Sequence, residues 1–536
     1  MGKSPDMTMA AGIEREYKFD VDADADFDPP DLRPAVGRTV RLAEVGQRST
    51  YFDTADHRLW ARGITFRHRI VVSGDAPDQS GGTWTLKLPE DPLPTGEGSD
   101  GAVESSRAEL SWRGPIDAVP EAASRIIAGI VRRARLATVA ELSALRRRLL
   151  LQAPDADGPW GEIDDDVVSV TAGPNAGQRF RQIELELLPG AAAPAGQLDA
   201  VIGLLRSAGA SPGGGSKLGT ALGLPSAPSG PARKGPRPGQ AVTADVLEQV
   251  ISDDLAAVLD CDYRLRRDAG DSSAPDAELV RRARVAARRA RADVRTFEPV
   301  LDPVWCRHVR RELRAFGQAL GRIRDADVLL ARLRAHDEPD DREGVDELVR
   351  LLVADRALAA ADLDGYMRST AYIDLLDRLN AAVSAPPLLG RDGERPGRAP
   401  ARSQVRRLVA RRWRKLVAEL DRLPSQPAVD ELHRVEVRAK RLRCAAEAAA
   451  PSVGKRARRT GRAAKQLQDL LGEISDAASA VSWLRQLASH PSLASADAFV
   501  AGRLAGGAEA SVRALRAELP AAARGITSKR VSSWLK

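Results

Sequence analysis

Glu14, Glu16 and Lys18 occupy alternate positions of the segment IEREYKF, residues 13–19. On an extended strand, alternate residues share a face. One face would carry two carboxylates and an ammonium, and Ile13, Arg15, Tyr17 and Phe19 would take the other, with Ile13, Tyr17 and Phe19 packing outside. The pattern recurs. GITFRHRI puts Arg67 and Arg69 opposite Ile64, Phe66 and His68, and TWTLKL puts Lys87 opposite Trp84, Leu86 and Leu88. SRAELSW pairs Arg107 with Glu109, and LRRRLLL supplies Arg146 and Arg148. GEIDDDV supplies Glu162, Asp164 and Asp166, and QIELELL supplies Glu184 and Glu186. The register is open by one residue at 146–148, where Arg147 competes with its neighbours, and at 162–166.

Any one of these strands fits an antiparallel sheet with one face in water. The set fits it less well, because carboxylates gather on some strands and Arg or Lys on others. A closed barrel would turn one parity inward. Unpaired charge in such an interior is costly, so the interior suits a polyanion together with a divalent cation. Guanidinium and ammonium groups hold phosphate oxygens, and Glu and Asp oxygens hold Mg²⁺ or Mn²⁺. Hydrolysis of a phosphoanhydride needs that charge neutralisation and no Cys or Ser nucleophile. His57 and His68 read as outside the site.

The elements that must position these residues fall in two halves. A chain of 536 residues exceeds one ordinary core. The Pro/Gly-rich stretch around PSAPSGPARKGPRPGQ marks a linker at 225–242, between a β-rich domain at 12–224 and a helical domain at 243–536. Two helices are expected near 120–136 and 196–208 of the first half. The second half repeats itself over 243–383 and 402–536. VRRARVAARRARADV at 280 answers LHRVEVRAKRLRCAA at 432, and LGRIRDADVLLARL at 320 answers LGEISDAASAVSWL at 471. The fold class is therefore α+β multidomain: a closed antiparallel β-barrel or tunnel, then an all-α duplicated bundle.

Arg281, Arg284, Arg288, Arg291 and Arg295 recur at helical steps and form a cationic stripe, broadened by Arg282 and Arg289. The copy carries His433, Glu436, Lys440 and Arg443, widened by Arg441. Acidic partners within the stripe are scarce, so it reads as a polyanion surface. Asp325 and Asp476 read as structural, capping or pairing with arginines.

EREYK, YFDT at 51, GITFRHR, LKLP, RAEL, EIDDD, IELEL and the Lys217 of SKLGTAL occur in the order of the CYTH domains, the triphosphate tunnel metalloenzymes, which residues 12–222 resemble. The resemblance implies an eight-stranded tunnel, with Glu14, Glu16, Glu184 and Glu186 as metal ligands. Lys18, Arg67, Arg69, Lys87, Arg107 and Lys217 would clamp phosphates. By parity, Asp164 and Asp166 join the metal ligands and Arg146 and Arg148 the clamp. Glu14, Glu16 and Lys18 are the expected catalytic set. Residues 243–536 resemble the CHAD domain, which implies inorganic polyphosphate binding through Arg281, Arg284, Arg288, Arg289, Arg291, His433, Lys440, Arg441 and Arg443. The chain departs from the CHAD pattern at Arg281, Glu436 and Ile474.

The expected function is hydrolysis of inorganic triphosphate, coupled to polyphosphate binding. The alternatives are a non-catalytic polyphosphate scaffold, or a hydrolase or cyclase acting on thiamine triphosphate or ATP. Aromatic residues make up only 4% of the chain, which argues against a nucleotide or nucleic-acid partner. No run of ~18 apolar residues suggests a membrane span. Three scattered cysteines, Cys261, Cys306 and Cys444, fit a reducing compartment. A cytoplasmic location, with association with polyphosphate granules, is expected.

Overall fold

The computed structural model describes residues 9–22, 30–73, 76–77, 81–90, 104–213, 215–224, 242–269, 275–336, 338, 341–389, 401–489 and 494–535. Almost all of the expected linker, and residues 390–400 between the two repeats, lie outside the described residues. The chain forms two compact units, Met1–Ala232 and Arg233–Lys536.

The first unit runs β1 (Met9–Val21), α1 (Arg33–Val36), β2 (Arg38–Arg41), β3 (Val45–Asp53), β4 (Thr65–Ser73), β5 (Ala76–Pro77) and β6 (Thr83–Pro89). It continues with β7 (Glu104–Arg113), α2 (Glu121–Val131), β8 (Ala137–Gln152), β9 (Gly161–Ala172), β10 (Arg179–Leu187), α3 (Gln197–Ser207), β11 (Ser211–Pro212) and α4 (Lys217–Leu222). Eight strands close a barrel in the order β10-β9-β8-β3-β4-β6-β7-β1, with β1 returning to β10. Every pairing is antiparallel. Closure removes the free edges of a sheet and gives each strand an inside and an outside.

The outside is apolar and covered. Tyr17 and Phe19 of β1, Ile163 of β9 and Ile183 and Leu185 of β10 form one core with Val201, Ile202 and Leu205 of α3. A second core joins Leu142, Val168 and Val170 to Leu218, Ala221 and Leu222 of α4. Phe66 and Trp84 stack with centroids 4.9 Å apart. His68 Nε2–H donates to Gly81 O and Gly114 O, away from the lumen. Ile13 departs from the expectation of an outer packing face: it is 60% exposed, because the described covering elements meet β1 only further along the strand.

The second unit is helical throughout: α5 (Thr243–Asp268), α6 (Ala277–Phe297), α7 (Pro303–Arg334), α8 (Arg342–Arg368), α9 (Thr370–Ser384), α10 (Ala401–Leu420), α11 (Val429–Val453), α12 (Lys455–Ala488), α13 (Ser495–Thr527) and α14 (Lys529–Ser532). Side chains of Asp276 and Asp302 cap α6 and α7 by accepting from Leu279 N and Trp305 N, at 2.9 and 2.7 Å. These caps satisfy orphan donors of the first turn. Ala283, Ala286, Ala287 and Ala290 turn inward on α6, which lets neighbouring helices approach closely and leaves the arginines on the other face. Equivalent helices of the two repeats meet: α5 packs on α10, α6 on α11, α7 on α12 and α8 on α13. Among the described residues no helix is long and apolar enough to cross a membrane.

Candidate active site and polyanion surface

The inward parity of the barrel lines a cavity of about 220 Å³. β1 contributes Glu14, Glu16 and Lys18, β4 Thr65, Arg67 and Arg69, β6 Lys87, and β7 Arg107 and Glu109. β8 contributes Arg146 and Arg148, β9 Glu162, β10 Glu184 and Glu186, and the start of α4 Lys217 and Leu218. Tyr51 and Ser216 complete the wall. Eight cationic and six acidic side chains thus face one space. The open register resolves: Arg147 points away and pairs with Glu44 at 3.0 Å, and Asp165 pairs with Arg181 at 2.7 Å.

Cross-strand neighbours decide what each carboxylate does. Glu186 lies between Glu16 on β1 and Glu162 on β9. It belongs to two acidic triads, Glu14–Glu16–Glu186 and Glu162–Asp164–Glu186, each with ligand oxygens within 4.8 Å of one another. Burial, then the charges of Glu14 and Glu184, push the Glu186 carboxyl up to about 8. Burial also raises Glu162 and Asp164. Crowded all-oxygen donors, with no direct ion pair at Glu186 among the described residues, fit a hard divalent cation such as Mg²⁺ or Mn²⁺.

Asp166 and Glu184, expected as metal ligands, are in neither triad. Asp166 stands opposite Arg146 in the ladder and takes its guanidinium bidentately at 2.8 and 2.6 Å, with Lys217 at 2.7 Å. Against the opposing effect of burial, Lys217 and Arg146 hold its carboxyl down at about 2. Glu184 sits on the wall but meets Lys217 at 2.6 Å, Arg146 at 3.5 Å and Lys18 at 3.8 Å. These two carboxylates therefore position cations. Arg146 also meets Asp164, and Arg148 reaches Asp164 at 3.0 Å.

The clamp residues differ in how free they are. Lys87 meets both oxygens of Glu14, at 2.5 and 2.6 Å, and Lys18 meets Glu16 at 2.9 Å. Arg107 has no ion pair among the described residues. Arg69 donates to Ser49 Oγ at 3.1 Å, and burial, then Arg67 and Arg146 beside it, lower it to about 10. A cluster of guanidiniums at this depth favours an incoming anion.

Glu162, Glu109, Tyr51, Thr65, Ser216 and Leu218 were not among the expected site residues. Glu162 and Glu109 carry a signal, since they share the parity of Asp164 and Arg107. The Asp of YFDT is architectural: Asp53 accepts from the backbone N–H of Thr54, Leu59 and Trp60 at 2.6, 2.9 and 2.9 Å.

On the helical unit the expected stripe divides in two, and acidic partners are not scarce. Arg281 pairs with Glu278 at 2.5 Å, Arg284 with Asp325 at 3.0 Å, and Arg289 with Asp293 at 3.7 Å. Arg443 meets Glu447 at 3.4 Å, and Glu436 meets His433 at 3.2 Å and Lys440 at 3.9 Å. Several partners come from another helix, as Asp325 does from α7, and are invisible in the stripe's own spacing. Arg288 is half-buried, and burial with Arg284 and Arg443 nearby lowers it. Burial, then Arg288, lowers Lys440 to about 7.

The unpaired set lies toward the end of α6. Arg291 and Arg295 of α6, Arg314 of α7, Arg411 and Lys415 of α10 and Arg441 of α11 have no ion-pair partner among the described residues. Burial, then Arg295, Arg438, Arg412 and Arg291, lower Arg441 to about 10. Arg412 is lowered to about 10 by burial and by Arg295 and Arg411. Of these, Arg291, Arg295 and Arg441 belong to the stripe and its copy, and Arg291 and Arg441 were expected as binding residues; Arg314 lies in the basic segment RHVRRELR at 307–314, and Arg411 and Lys415 lie in RRLVARRWRKL at 406–416.

Residues 249–485 match the CHAD domain family. The CHAD domain of the plant Ricinus communis is 24% identical, covering 56% of this chain and 96% of its own, with a TM-score of 0.44. PptA from Streptomyces chartreusis is 23% identical, covering 53% and 99%, with a TM-score of 0.43. HpAC1 from Hippeastrum, described as a candidate adenylyl cyclase with a dominant triphosphatase activity, is 15% identical, covering 39% and 94%, with a TM-score of 0.23. No curated protein matches the chain.

Proposed function

Given a chain that carries a CHAD domain over residues 249–485, we propose a two-part polyphosphate protein: a metal-dependent triphosphatase tunnel of the CYTH type followed by a helical module that binds inorganic polyphosphate. The observation that carries the catalytic half is the cavity itself, where two acidic triads sharing Glu186 face eight cations. Glu14, Glu16, Glu162, Asp164 and Glu186 would hold Mg²⁺ or Mn²⁺, which supplies Lewis acidity and neutralises charge on the transferred phosphoryl group. Arg67, Arg69, Arg107 and Lys87 would bind and orient the phosphate chain; Lys217 and Arg146, anchored by Asp166 and Glu184, would close it from the other side. The barrel wall limits water to the cavity. Inorganic triphosphate is the substrate that best fits the lining. Among the described lining residues Tyr51, the one aromatic, is only 4% exposed and Leu218 is the one aliphatic, so they offer a nucleobase or thiazolium no surface to stack on.

The unpaired cations at Arg291, Arg295, Arg314, Arg411, Lys415 and Arg441 support polyphosphate binding on the helical unit, because such a cluster is stable mainly with an anion on it. The deciding experiment measures phosphate release from triphosphate, ATP, thiamine triphosphate and long polyphosphate, each with Mg²⁺ and with Mn²⁺. Triphosphate should be turned over fastest. Release from none of the four overturns the catalytic half, and faster turnover of an organic triphosphate replaces the substrate.

A further inference from the structure

The tunnel is neutralised from within. Lys87 holds both oxygens of Glu14 and stands 3.2 Å from Glu109; Lys18 stands 2.9 Å from Glu16 Oε1. Glu14 and Glu16 are two of the three carboxylates in the first acidic triad, with Glu186 the third. A metal ion at these oxygens competes with the ammoniums already beside them, most directly at Glu14, where Lys87 covers both oxygens. The same ammoniums are the groups that would bind phosphate. All four side chains are largely buried, from 2% exposed for Glu16 to 14% for Lys18. In such a place, removing one partner of an ion pair leaves an uncompensated charge.

We propose that Lys18 and Lys87 are exchangeable partners, released to phosphate when a divalent cation takes Glu14 and Glu16. Metal and triphosphate then bind with positive cooperativity. A metal arriving alone leaves Lys87 only Glu109, at 3.2 Å, and Lys18 only Glu184, at 3.8 Å, and triphosphate arriving alone leaves Glu14 and Glu16 without their ammoniums. Arriving together they satisfy all four. The coupling is reciprocal by linkage, so each raises the affinity of the other by the same factor.

Lys217 provides an internal contrast. Its partners, Asp166 and Glu184, are outside both triads, so its pairing does not block a metal oxygen. The inference rests on the triphosphatase reading, and calorimetry separates the two. The titrants are Mn²⁺ alone, the bridging-nitrogen analogue of triphosphate alone with chelator, and each in the presence of the other, corrected for the analogue's own affinity for metal. In the wild type each should tighten the other by about tenfold or more. Lys87→Met should tighten Mn²⁺ alone, weaken the analogue, and cut the coupling to about threefold or less; Lys18→Met should act likewise through Glu16, should the first variant fold poorly. Lys217→Met should weaken the analogue but leave Mn²⁺ alone within about twofold. A wild-type coupling near one, or an equal change in Mn²⁺ affinity for Lys217→Met and Lys87→Met, overturns the exchange while leaving the enzyme reading intact. No binding of the analogue under any condition overturns the enzyme reading itself.

Discussion

Asp254 on α5 and Asp293 on α6 are buried carboxyls with one cation near both: Arg289 stands 3.9 Å from the first and 3.7 Å from the second. Burial, with Glu447 nearby and against Arg289, raises Asp293 from 3.8 to about 7, and Asp254 is raised too by burial and by Asp293. A carboxyl raised in the folded state holds a proton that the unfolded chain gives up, so its contribution to stability is complete below about pH 4 and is lost as pH rises through about 7. Asp293→Asn should therefore leave melting unchanged near pH 4 and raise the melting temperature at pH 8 by about 2–4 °C per kcal/mol recovered. Thermal melts across that range check this, and a variant that gains nothing at pH 8 refutes it. Such residues also mark the limit of reading one strand or helix at a time. Parity puts Glu14, Glu16, Glu186 and Asp166 on one side of the wall; of these Glu14, Glu16 and Glu186 line the cavity and Asp166 lies behind Arg146 and Lys217. It could not tell Asp166, set beside Arg146, from Glu186, set between two glutamates, because that difference lies in the ladder.

At the scale of elements, the alternating strands and the arginine-rich helices are legible because their periods differ, near two and near 3.6 residues. What the periods leave out is which helices meet. Arg281 and Arg291 sit on one stripe of α6, yet Arg281 is exposed and paired with Glu278 on its own helix, while Arg291 faces Arg310 and Arg314 of α7. Arg291→Glu combined with Arg441→Glu should lower polyphosphate affinity about tenfold or more and flatten its salt dependence, since fewer cations are then neutralised by the polymer. Arg281→Glu should change it less than about twofold. Fluorescence titrations at two salt concentrations test both, and equal losses from the two changes would refute the division of the stripe.

For the molecule as a whole, the two compact units carry different parts of the proposed function. Glu14→Ala should abolish phosphate release from triphosphate and leave polyphosphate binding within about twofold, because the helical cluster keeps all its cations. Phosphate release and polyphosphate titration on the same preparation measure this; loss of both would argue against separable roles. On the proposed function, linking the units would raise the local concentration of phosphate chains for the first unit without any new contact.

The meeting of equivalent helices has one more consequence. When α5 meets α10, α6 meets α11, α7 meets α12 and α8 meets α13, each repeat presents the same surface to the other, which is the rule of an isologous interface. A single repeat would bury that surface by pairing with a second copy of itself, as a symmetric dimer. Fusion of the two copies into one chain frees each half to diverge. That freedom is visible where Arg281 in one repeat answers His433 in the other.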